Sequence, residues 1–440
     1  MEPMETSCCI VGGGPAGMML GYLLARQGVD VIVIEKHKDF LRDFRGDTVH
    51  PSTLQVMYEL GLLERFLALP HQKVTSANAM IGGETFHFAD FTHVPTHCKY
   101  IALMPQWDLL DFLAQQGGRY PGFHVLMEHE ATGVVRGADG AVKGVEMRTC
   151  VNGVEQPGRI QASLTVACDG RRSTVRAAAG LKPVERGVPI DVVWFRIRRK
   201  EDDHGEFFGI VNFGEALVLI NRRDYFQAGL IVPKGSFDEI KSKGLDEFRQ
   251  TIARLAPFLA DRTGEIASWK DVSLLSVQID RLPRWYERGL LCIGDAAHAM
   301  SPVGGVGINL AIQDAVATAN LLGPALLADN VTIAHLASVQ SRREFPAKVI
   351  QAAQARAHRV LAATFSAKQQ MKAPWPLKII TRIPGVQRVM GFVVGVGVRP
   401  EHVAGTRKSE SNVAVIVAGC AAGLAAFIWV WRRGGHTARP

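Results

Sequence analysis

The stretch Cys8-Cys9-Ile10-Val11-Gly12-Gly13-Gly14-Pro15-Ala16-Gly17 decides the fold of this chain, because it has the pattern of a strand, a tight turn and the start of a helix. Glycines in such a turn let the backbone bend sharply, let a pyrophosphate approach bare backbone, and let the helix pack closely on the strand. The glycines that these three tasks require are Gly12, Gly14 and Gly17. The stretch therefore predicts a Rossmann-like unit in which the turn and the first helical residues, including Ala16, bind a dinucleotide phosphate.

A carboxylate stands where a bound dinucleotide would present a ribose. A second strand-like apolar run, residues 31–34, ends at Glu35, eighteen residues after Gly17. An acidic side chain at this point of a Rossmann unit accepts hydrogen bonds from ribose hydroxyls. With the glycines, this acid favours dinucleotide binding over an ordinary glycine turn, and we place Glu35 and the adjacent Lys36 at the cofactor.

Two further segments, far along the chain, also follow apolar runs and end in glycine-bearing turns. Residues 168–176 begin with Cys-Asp-Gly-Arg-Arg, and residues 294–298 have the sequence Gly-Asp-Ala-Ala-His. The second of these segments continues through a glycine-rich turn, residues 301–309, into a helix predicted to end near Leu322. Each segment is thus predicted to be a strand that ends in a turn.

With these three motifs in this order, the chain resembles the para-hydroxybenzoate hydroxylase-like family of FAD-dependent aromatic-ring monooxygenases, the group A flavoproteins. The resemblance runs from about Ser7 to His402. In that family the first motif binds the adenosine half of FAD, the Asp-Gly motif lies near the pyrophosphate and the nicotinamide, and the Gly-Asp motif binds the ribityl chain. The resemblance therefore implies FAD as the cofactor, with Asp169 in the second motif and Asp295 on the ribityl hydroxyls.

The resemblance also assigns the turn before the last predicted helix to the flavin ring. Pro302 would lie beside the ring, and the residues lining its pyrimidine edge would be Gly305, Gly307, Ile308 and Asn309. Two single-residue matches carry less information. Arg45 matches a position near the pyrophosphate, with a surface arginine as the alternative, and Gln106 matches a further cofactor position, with a helix-capping glutamine as the alternative.

The three motifs must meet on one cofactor although they are far apart in sequence, so the FAD-binding domain is predicted to be discontinuous. We expect an α/β fold in which a Rossmann-like FAD-binding domain comprises residues 1–74, 100–180 and 290–327. Residues 75–99 and 181–289 are predicted to form an α+β substrate domain built on a β-sheet. Residues 328–411 are predicted to be a C-terminal helical region, and residues 412–433 a single transmembrane tail helix.

Composition indicates a globular protein with a basic end. The chain has 440 residues, of which 47% are hydrophobic and 21% are charged, and this length allows two or three domains. From Arg342 onward 16 Lys and Arg face three acids, whereas the rest of the chain carries 34 against 39, which accounts for the net charge of +8. No nucleic-acid reading motif accompanies these charges, so a membrane surface is the better expected partner.

Seven cysteines without paired spacing indicate reduced thiols in a cytosolic catalytic domain, and we expect no secretory signal at the start of the chain.

An uncharged apolar run, residues 413–431, is long enough at about 1.5 Å per residue to cross the hydrocarbon core of a bilayer. Trp429 and Trp431 would lie at the headgroups. A buried core helix is the alternative, but the run is terminal and follows a polar linker. We expect a single-pass C-terminal membrane anchor with the catalytic domain facing the cytoplasm, where nicotinamide cofactors reach the flavin. Gly419 and Gly423 stand at GxxxG spacing and leave a homodimer open.

The chemistry expected from the resemblance is that of the cofactor, because in the family the flavin carries the reactive oxygen as a C4a-hydroperoxide. The enzyme would consume O2 and either NADPH or NADH, which would visit transiently because the chain has no second GxGxxG. We assign no catalytic side chain, we predict no metal site, and we assign His298 to a structural hydrogen bond. The substrate is expected to be an apolar or aromatic small molecule, since the middle domain is rich in aromatic residues, although these equally suit a sheet core.

Other readings of the same motifs stay open. A flavin-dependent reductase or dehydrogenase of an unsaturated lipid-like substrate would need no oxygen insertion, and substrate-stimulated oxygen consumption separates it from a monooxygenase. A membrane-tethered flavin-binding protein without turnover would bind FAD but show no substrate-dependent reduction. Arg196 and Gln227 lie inside strand-like runs of the middle domain and could face either the substrate or solvent.

Overall fold

The computed structural model describes residues 3–41, 48–151, 154–203, 208–222, 224–365, 367 and 369–405. The strands in this part of the chain are β1 (Met4–Val11), β2 (Val31–Glu35), β3 (Thr48–Val49), β4 (Gln72–Val74), β5 (Ser76–Ile81), β6 (Glu84–Asp90), β7 (Ile101–Leu103), β8 (Phe123–Met127), β9 (His129–Arg136), β10 (Val142–Val151), β11 (Val154–Ala167), β12 (Val184–Arg186), β13 (Ile190–Arg198), β14 (Phe208–Asn212), β15 (Glu215–Arg222), β16 (Tyr225–Pro233), β17 (Ser273–Leu275), β18 (Ile279–Arg281), β19 (Tyr286–Glu287) and β20 (Leu290–Cys292). The helices are α1 (Pro15–Arg26), α2 (Pro51–Glu59), α3 (Leu63–Leu67), α4 (Gln106–Gly117), α5 (Thr174–Ala178), α6 (Phe237–Ser242), α7 (Leu245–Leu255), α8 (Gly307–Leu327), α9 (Ile333–Thr364), α10 (Trp375–Ile380) and α11 (Val386–Gly395). Short 3₁₀ turns cover Pro257–Glu265, Trp269–Asp271 and Gly294–Ala296.

A mixed sheet of eight strands is the centre of the half of the molecule that carries the three motifs. Strands β8, β2, β1, β11 and β20 are parallel and lie side by side in that order, and β19 pairs antiparallel with β20. β9 and β10 extend from β11 as an antiparallel hairpin. Because β1, β11 and β20 are parallel neighbours, the turns that follow them lie at the same edge of the sheet.

Helix α8 is the core helix of this half. It packs against α1, α2 and α9. Among the helices in the described residues it is the one that is long and apolar enough to cross a membrane, but 78% of its most apolar window is buried inside the protein. Its apolar composition is therefore explained by packing within the fold.

A second sheet of seven strands has the order β17-β13-β16-β15-β14-β5-β6, so β5 and β6 share it with strands more than a hundred residues later in the chain. Its side chains alternate between two apolar clusters, as the pleat of a strand requires. Phe195, Leu219 and Leu230 pack on one side against α6 and α7 residues such as Phe248. We call the opposite side the substrate-sheet face, which is formed by Val192, Trp194, Ala216, Ile220 and Ile231.

A small sheet joins the two halves. β7 lies between β3 and β4, and Thr48 of β3 pairs with Leu103 of β7. Leu103 and Val74 of β4 belong to the same apolar cluster as the substrate-sheet face. The contact between the halves is therefore apolar on the side of the seven-stranded sheet.

The end of the described chain is helical, with α9 followed by the shorter α10 and α11. Helix α11 packs on β6 so closely that a Cβ added to Gly391 would lie 1.9 Å from the Asp90 carbonyl oxygen. The hydrophobic clusters of the described residues run from Cys8 to Val403. The predicted transmembrane tail, residues 412–433, lies outside the described residues.

Candidate active site

In the first glycine turn, two glycines pack tightly against backbone atoms, and the space around the third is open. A Cβ on Gly12, which has φ +107°, would lie 2.6 Å from the Cys168 carbonyl oxygen, and a Cβ on Gly17 would lie 2.0 Å from the Gly12 carbonyl oxygen. Around Gly14 nothing lies within 4 Å of the Cβ position. Helix α1 begins here without a capping side chain or an acidic residue in its first turn, which contains the buried Ala16. The first N–H groups of the helix have no capping side chain and are therefore available to an anion.

Glu35 lies at the end of β2, beside this turn. Its Oε2 accepts the Gly13 N–H at 3.0 Å, and its Oε1 accepts the His37 N–H at 3.1 Å and lies 2.5 Å from His37 Nδ1. Burial opposes ionisation, but these hydrogen bonds outweigh it and lower the pKa of Glu35. The carboxylate is thus charged at neutral pH and supports the turn as well as the predicted ribose position. Lys36 is exposed next to it.

The second motif sits directly against the first. The Cys168 N–H donates to the Val11 carbonyl oxygen at 2.7 Å, because β1 and β11 are neighbours. Asp169 follows, and its Oδ2 accepts the Val175 N–H at the start of α5 at 3.3 Å. Its Oδ1 is buried and has no partner within the described residues, and burial raises its pKa. A buried carboxylate oxygen without a donor is a position where a ligand hydroxyl would be stabilised.

Arg176 connects the second motif with the third. This buried side chain donates through Nη1 to the Ala296 carbonyl oxygen at 2.9 Å and through Nη2 to the Arg171 carbonyl oxygen at 2.6 Å. In the buried run of residues 290–301, Asp295 is the one residue that is not buried. Its Oδ2 lies 3.5 Å from Arg171 Nε. Asp295 is thus a partly exposed carboxylate at the third motif, and its contact with the ribityl chain stays a prediction.

A buried network anchors the third motif from helix α8. Asp314 is fully buried, and its Oδ2 accepts the Gly294 N–H at 3.0 Å and lies 2.6 Å from His298 Nε2. Arg343 of α9 donates through Nε to Asp314 Oδ1 at 2.9 Å. Burial opposes ionisation, but His298 and Arg343 outweigh it and lower the pKa of Asp314. The prediction that His298 makes a structural hydrogen bond is confirmed.

The glycine-rich turn before α8 is built for close backbone approach. Gly304 and Gly305 have positive φ values of +83° and +63°, and a Cβ on Gly305 would lie 2.5 Å from Thr48 Oγ1. Nothing lies within 4 Å of the Cβ position of Gly307, where α8 begins without a capping side chain or an acid. Pro302 and Ile308 are partly exposed beside it. The positive end of a 21-residue helix therefore opens onto free space.

The Asn309 side chain holds this turn to helix α2. Its Oδ1 accepts the His50 N–H at 3.1 Å and the Thr53 hydroxyl at 2.7 Å, and its Nδ2 donates to the Gly305 carbonyl oxygen at 3.4 Å. His50 is fully buried and donates through Nδ1 to the Val394 carbonyl oxygen at 2.8 Å. Burial lowers its pKa to about 4, so the ring is neutral. These bonds engage the Asn309 side chain in holding the turn, and one of its two amide N–H donors is not used by them.

Side chains of helix α9 also hold this turn, and they were not among the residues predicted from the sequence. Gln354 accepts the Ser301 N–H at 3.1 Å and donates to the Ser301 and Val303 carbonyl oxygens, both at 2.9 Å. His358 Nε2 lies 2.7 Å from Ser301 Oγ, which also accepts the Val303 N–H at 3.1 Å. A signal was present, since Arg343, Gln351, Gln354 and His358 form one polar stripe on a helix otherwise rich in alanine.

The structure says little about the two remaining predicted cofactor positions, Arg45 and Gln106. Arg45 lies outside the described residues. Gln106 is the first residue of α4, partly exposed after Pro105. No group of His, Cys, Asp or Glu that could hold a metal ion occurs in the part of the chain described.

The residues present fit an FAD molecule. Two uncapped helix N-termini face open glycine positions, a buried Asp169 oxygen lacks a donor, and Asp295 is the exposed residue of a buried run. These features lie on turns that one sheet edge and a buried network bring together. The fold and the site together define a flavoprotein with a discontinuous dinucleotide-binding domain.

Comparison with known proteins agrees with this class. The profile of the FAD binding domain family FAD_binding_3 matches residues 5–353, and the chain belongs to that family. The 6-methylpretetramide 4-monooxygenase of Streptomyces rimosus is 29% identical over 389 residues, which cover 88% of this chain and 91% of the relative. The rifampicin monooxygenase of Streptomyces venezuelae is 26% identical over 324 residues, which cover 70% of this chain but only 61% of that relative.

Solved structures share the fold. The probable FAD-dependent monooxygenase PqsL of Pseudomonas aeruginosa superposes with a TM-score of 0.68 at 22% identity, covering 82% of this chain and 100% of that chain. The OxyS anhydrotetracycline hydroxylase of Streptomyces rimosus also gives 0.68 at 22% identity, covering 89% and 76%. Together with the family match and the relatives, these findings show that the protein is an FAD-dependent monooxygenase, with NAD(P)H as the electron donor typical of the family.

Replacing Asp295 by alanine is expected to weaken FAD binding by about 1–3 kcal/mol, because a flavin hydroxyl then loses its acceptor in a largely dry site. Glu35→Ala is expected to weaken binding by a similar amount and also to loosen the turn at Gly13. Fluorescence titration of the apoprotein with FAD measures both. Asp238→Ala, at an exposed position of α6, is the matched control. Unchanged affinity in both site variants contradicts the cofactor placement.

FAD retention is expected to fall as the pH is lowered from about 6.5 towards 4. Burial lowers the pKa of His358 to about 4 from 6.5, so the folded protein loses stability over this window as the unfolded chain gains the proton. Protonation also changes the hydrogen bond between His358 Nε2 and Ser301 Oγ. Carboxylates with lowered pKa, such as Glu35, add to this loss at the acid end of the window, where the unfolded chain takes up their protons. The measurement is flavin released against pH.

His358→Gln keeps a hydrogen-bond acceptor for Ser301 but does not titrate, so it is expected to release FAD less steeply over this window than the parent. His50 has the same depressed pKa, so the double variant with His50→Gln is expected to release FAD less steeply than His358→Gln alone. A release curve identical to that of the parent in both variants rules out this explanation.

Proposed function

We propose that this monooxygenase inserts one oxygen atom of O2 into a ring of an apolar, multi-ring aromatic substrate. Overall, one molecule each of O2, NAD(P)H and substrate, with one proton, would give hydroxylated product, NAD(P)⁺ and water. Relatives support the substrate class, because one is named a 6-methylpretetramide 4-monooxygenase and another a 12-dehydrotetracycline 5-monooxygenase/anhydrotetracycline 6-monooxygenase. The second of these is 28% identical, and this chain spans 61% of it.

The observation that carries the proposal is the short path from the predicted flavin-ring turn to the substrate-sheet face. The Thr48 hydroxyl donates to the Gly305 carbonyl oxygen at 3.0 Å. Thr48 pairs with Leu103, and Leu103 packs in the same apolar cluster as Trp194. A flat apolar substrate between this face and the turn would lie against the ring with water excluded.

The side chains have limited tasks in this reaction. When bound, FAD supplies the electron transfer from NAD(P)H and the activation of O2. The N–H groups of Gly307 and Ile308, at the positive end of α8, would stabilise negative charge on a bound flavin ring. The substrate-sheet face orients the substrate and keeps water away from it. No side chain is required to act as an acid or a base.

Polar groups on the substrate-sheet face supply orientation. Trp194 is buried, and its Nε1 has no hydrogen-bond partner within the described residues. The ring lies over Gly229, where a Cβ would be 2.9 Å from Trp194 Cζ3. Gln227 is buried on the same face of β16 and pairs with Ile220. We assign Trp194 Nε1 as a donor to a substrate oxygen, since a buried indole N–H without an acceptor costs free energy. Arg196, by contrast, is exposed and lies 5.3 Å from the Tyr225 ring centroid.

Isotope incorporation tests the reaction. Purified enzyme with FAD and NADPH or NADH is incubated under ¹⁸O₂ with multi-ring phenols, beginning with 6-methylpretetramide. Substrate should accelerate NAD(P)H and oxygen consumption, and the product should carry one ¹⁸O atom. A reduced or desaturated product without ¹⁸O would instead establish the reductase or dehydrogenase alternative.

Trp194→Phe keeps the ring but removes the N–H donor, so the KM for a turned-over substrate is expected to rise about fivefold, as for the loss of one hydrogen bond of about 1 kcal/mol. The kcat is expected to change little. Trp285→Phe is the matched control, since Trp285 Nε1 is also buried without a partner but lies in the cluster of the FAD-binding half. Equal effects of the two substitutions on KM exclude a substrate contact at Trp194.

Residues 413–431 are proposed to anchor the enzyme to a membrane, with the catalytic domain on the cytoplasmic side. Nineteen uncharged residues that end in Trp429-Val430-Trp431 support this, as does the basic pair that follows. A cytoplasmic orientation gives the flavin access to NAD(P)H. A homodimer through Gly419 and Gly423 would be a further consequence of such an anchor.

Deleting everything after Ser411 is expected to give a protein that keeps FAD and NAD(P)H oxidation, because the hydrophobic clusters end at Val403. The full chain is expected to sediment with membranes and to resist carbonate extraction. In sealed vesicles with the cytoplasmic face outward, added protease should digest the catalytic domain. Protection of the catalytic domain in these vesicles contradicts the cytoplasmic orientation. Full extraction of the uncut chain by carbonate contradicts the membrane anchor.

A further inference from the structure

Three large apolar side chains near the end of the described chain point to solvent. Trp375, Ile379 and Ile383 are 60%, 51% and 47% exposed. They follow one another at four-residue spacing along α10 and the turn after it, so they share one side. Pro376 and Ile380 are buried on the other side. We call the three exposed side chains the α10 face, which is an apolar surface that the fold leaves uncovered in the part of the chain described.

The surroundings of the α10 face are purely cationic in sequence. Residues 345–400 contain nine Lys and Arg and no Asp or Glu. Lys372 and Arg382, which flank α10 in sequence, and Arg388 of α11 are exposed, and none of them has an acidic partner among the described residues. The neighbouring Lys378 pairs with Glu84 at 2.5 Å. An apolar surface surrounded by unpaired positive charge is complementary to the headgroups and outer acyl region of an anionic bilayer.

The face is held firmly on the fold. The Met371 N–H donates to Asn212 Oδ1 at 2.9 Å, and a Cβ on Gly82 would lie 2.2 Å from the Met371 carbonyl oxygen. The chain before α10 is therefore packed against the β5–β6 turn and the end of β14. Side chains presented on a fixed surface lose little further freedom when they dock, which favours binding.

The length of the following chain agrees with a membrane. Residues 406–412 separate the last described residue from the apolar run 413–431, and seven residues span at most about 25 Å. A domain tethered this closely must present some surface to the bilayer. The linker limits the distance between the domain and the bilayer. The α10 face does not depend on the linker, because it is complete within residues 372–388.

We propose that the α10 face docks the catalytic domain directly on an anionic lipid bilayer. Trp375, Ile379 and Ile383 enter the interfacial region, where an indole ring is favourable, and Lys372, Arg382 and Arg388 contact lipid phosphates. The docking is separate from the tail anchor and does not depend on the catalytic activity. It gives the domain one defined orientation on the surface.

Vesicle binding of the chain that ends at Ser411, loaded with FAD, tests the proposal without the tail. This protein is expected to co-sediment with phosphatidylcholine vesicles that contain phosphatidylglycerol, to bind vesicles of phosphatidylcholine alone more weakly, and to be released by salt. Trp375→Ser/Ile379→Ser/Ile383→Ser should lower the partition coefficient at least about tenfold. Lys372→Gln/Arg382→Gln should lower it about 30-fold.

Matched controls make the same changes elsewhere. Val154→Ser/Val184→Ser removes two exposed apolar side chains, and Lys182→Gln/Lys270→Gln removes two exposed charges. All variants should retain FAD and NAD(P)H oxidation, which verifies folding. Failure of the parent to bind anionic vesicles overturns the proposal, as does equal loss in the controls. Loss of self-association in the face variants without a change in vesicle binding overturns it in favour of a protein contact.

The full chain supplies an independent readout. Reconstituted into anionic vesicles that contain brominated lipid, the parent should lose more tryptophan fluorescence than Trp375→Phe loses, because Trp375 contributes quenching in addition to Trp429 and Trp431. Equal quenching of the two proteins overturns docking by the α10 face. If the tail fails to insert, the chain ending at Ser411 should still bind vesicles, so the two ideas fail separately.

Discussion

The carboxylate of Asp314 is the interaction on which the cofactor-binding half depends. It is buried on α8 and meets Gly294, His298 and Arg343, which come from the third motif and from α9. A buried charge is tolerated only when it is fully paired, and removing one partner costs about 3–5 kcal/mol. Arg343 extends the pairing to the Arg399 carbonyl oxygen and to Glu401 at 3.0 and 3.2 Å. The turn, two helices and the last described segment are thereby held in one arrangement.

This arrangement leaves polar groups of the binding edge without protein partners. α1 and α8 both begin at glycine-bearing turns without capping side chains, and both face open space. Uncapped helix ends and open backbone lower the stability of a protein on its own, and a bound anionic ligand compensates for them. Cofactor binding thus satisfies backbone groups that the protein alone leaves unpaired. The buried network around Asp314 holds in place a turn that is locally unfavourable.

Local backbone rules made much of this fold predictable. Gly12 and Gly17 approach backbone atoms so closely that no other residue fits, and such a constraint is visible in sequence. The contacts that could not be predicted join residues that are far apart in the sequence. Ser301 and His358 are 57 residues apart, and the strand pattern of β16 left both faces open to Gln227. Helices α6 and α7 cover the opposite face of the sheet, and Gln227 is buried on the substrate-sheet face.

The discontinuous site has a consequence for biosynthesis. Domains generally fold as units while the chain is being synthesised, from the N-terminus onward. Here the phosphate turn is made first, at Gly12, but the network that fixes the third motif includes Glu401. The complete pocket therefore exists only once synthesis has reached Glu401, which is 389 residues after Gly12. Any flavin binding that needs the whole pocket must wait for that residue.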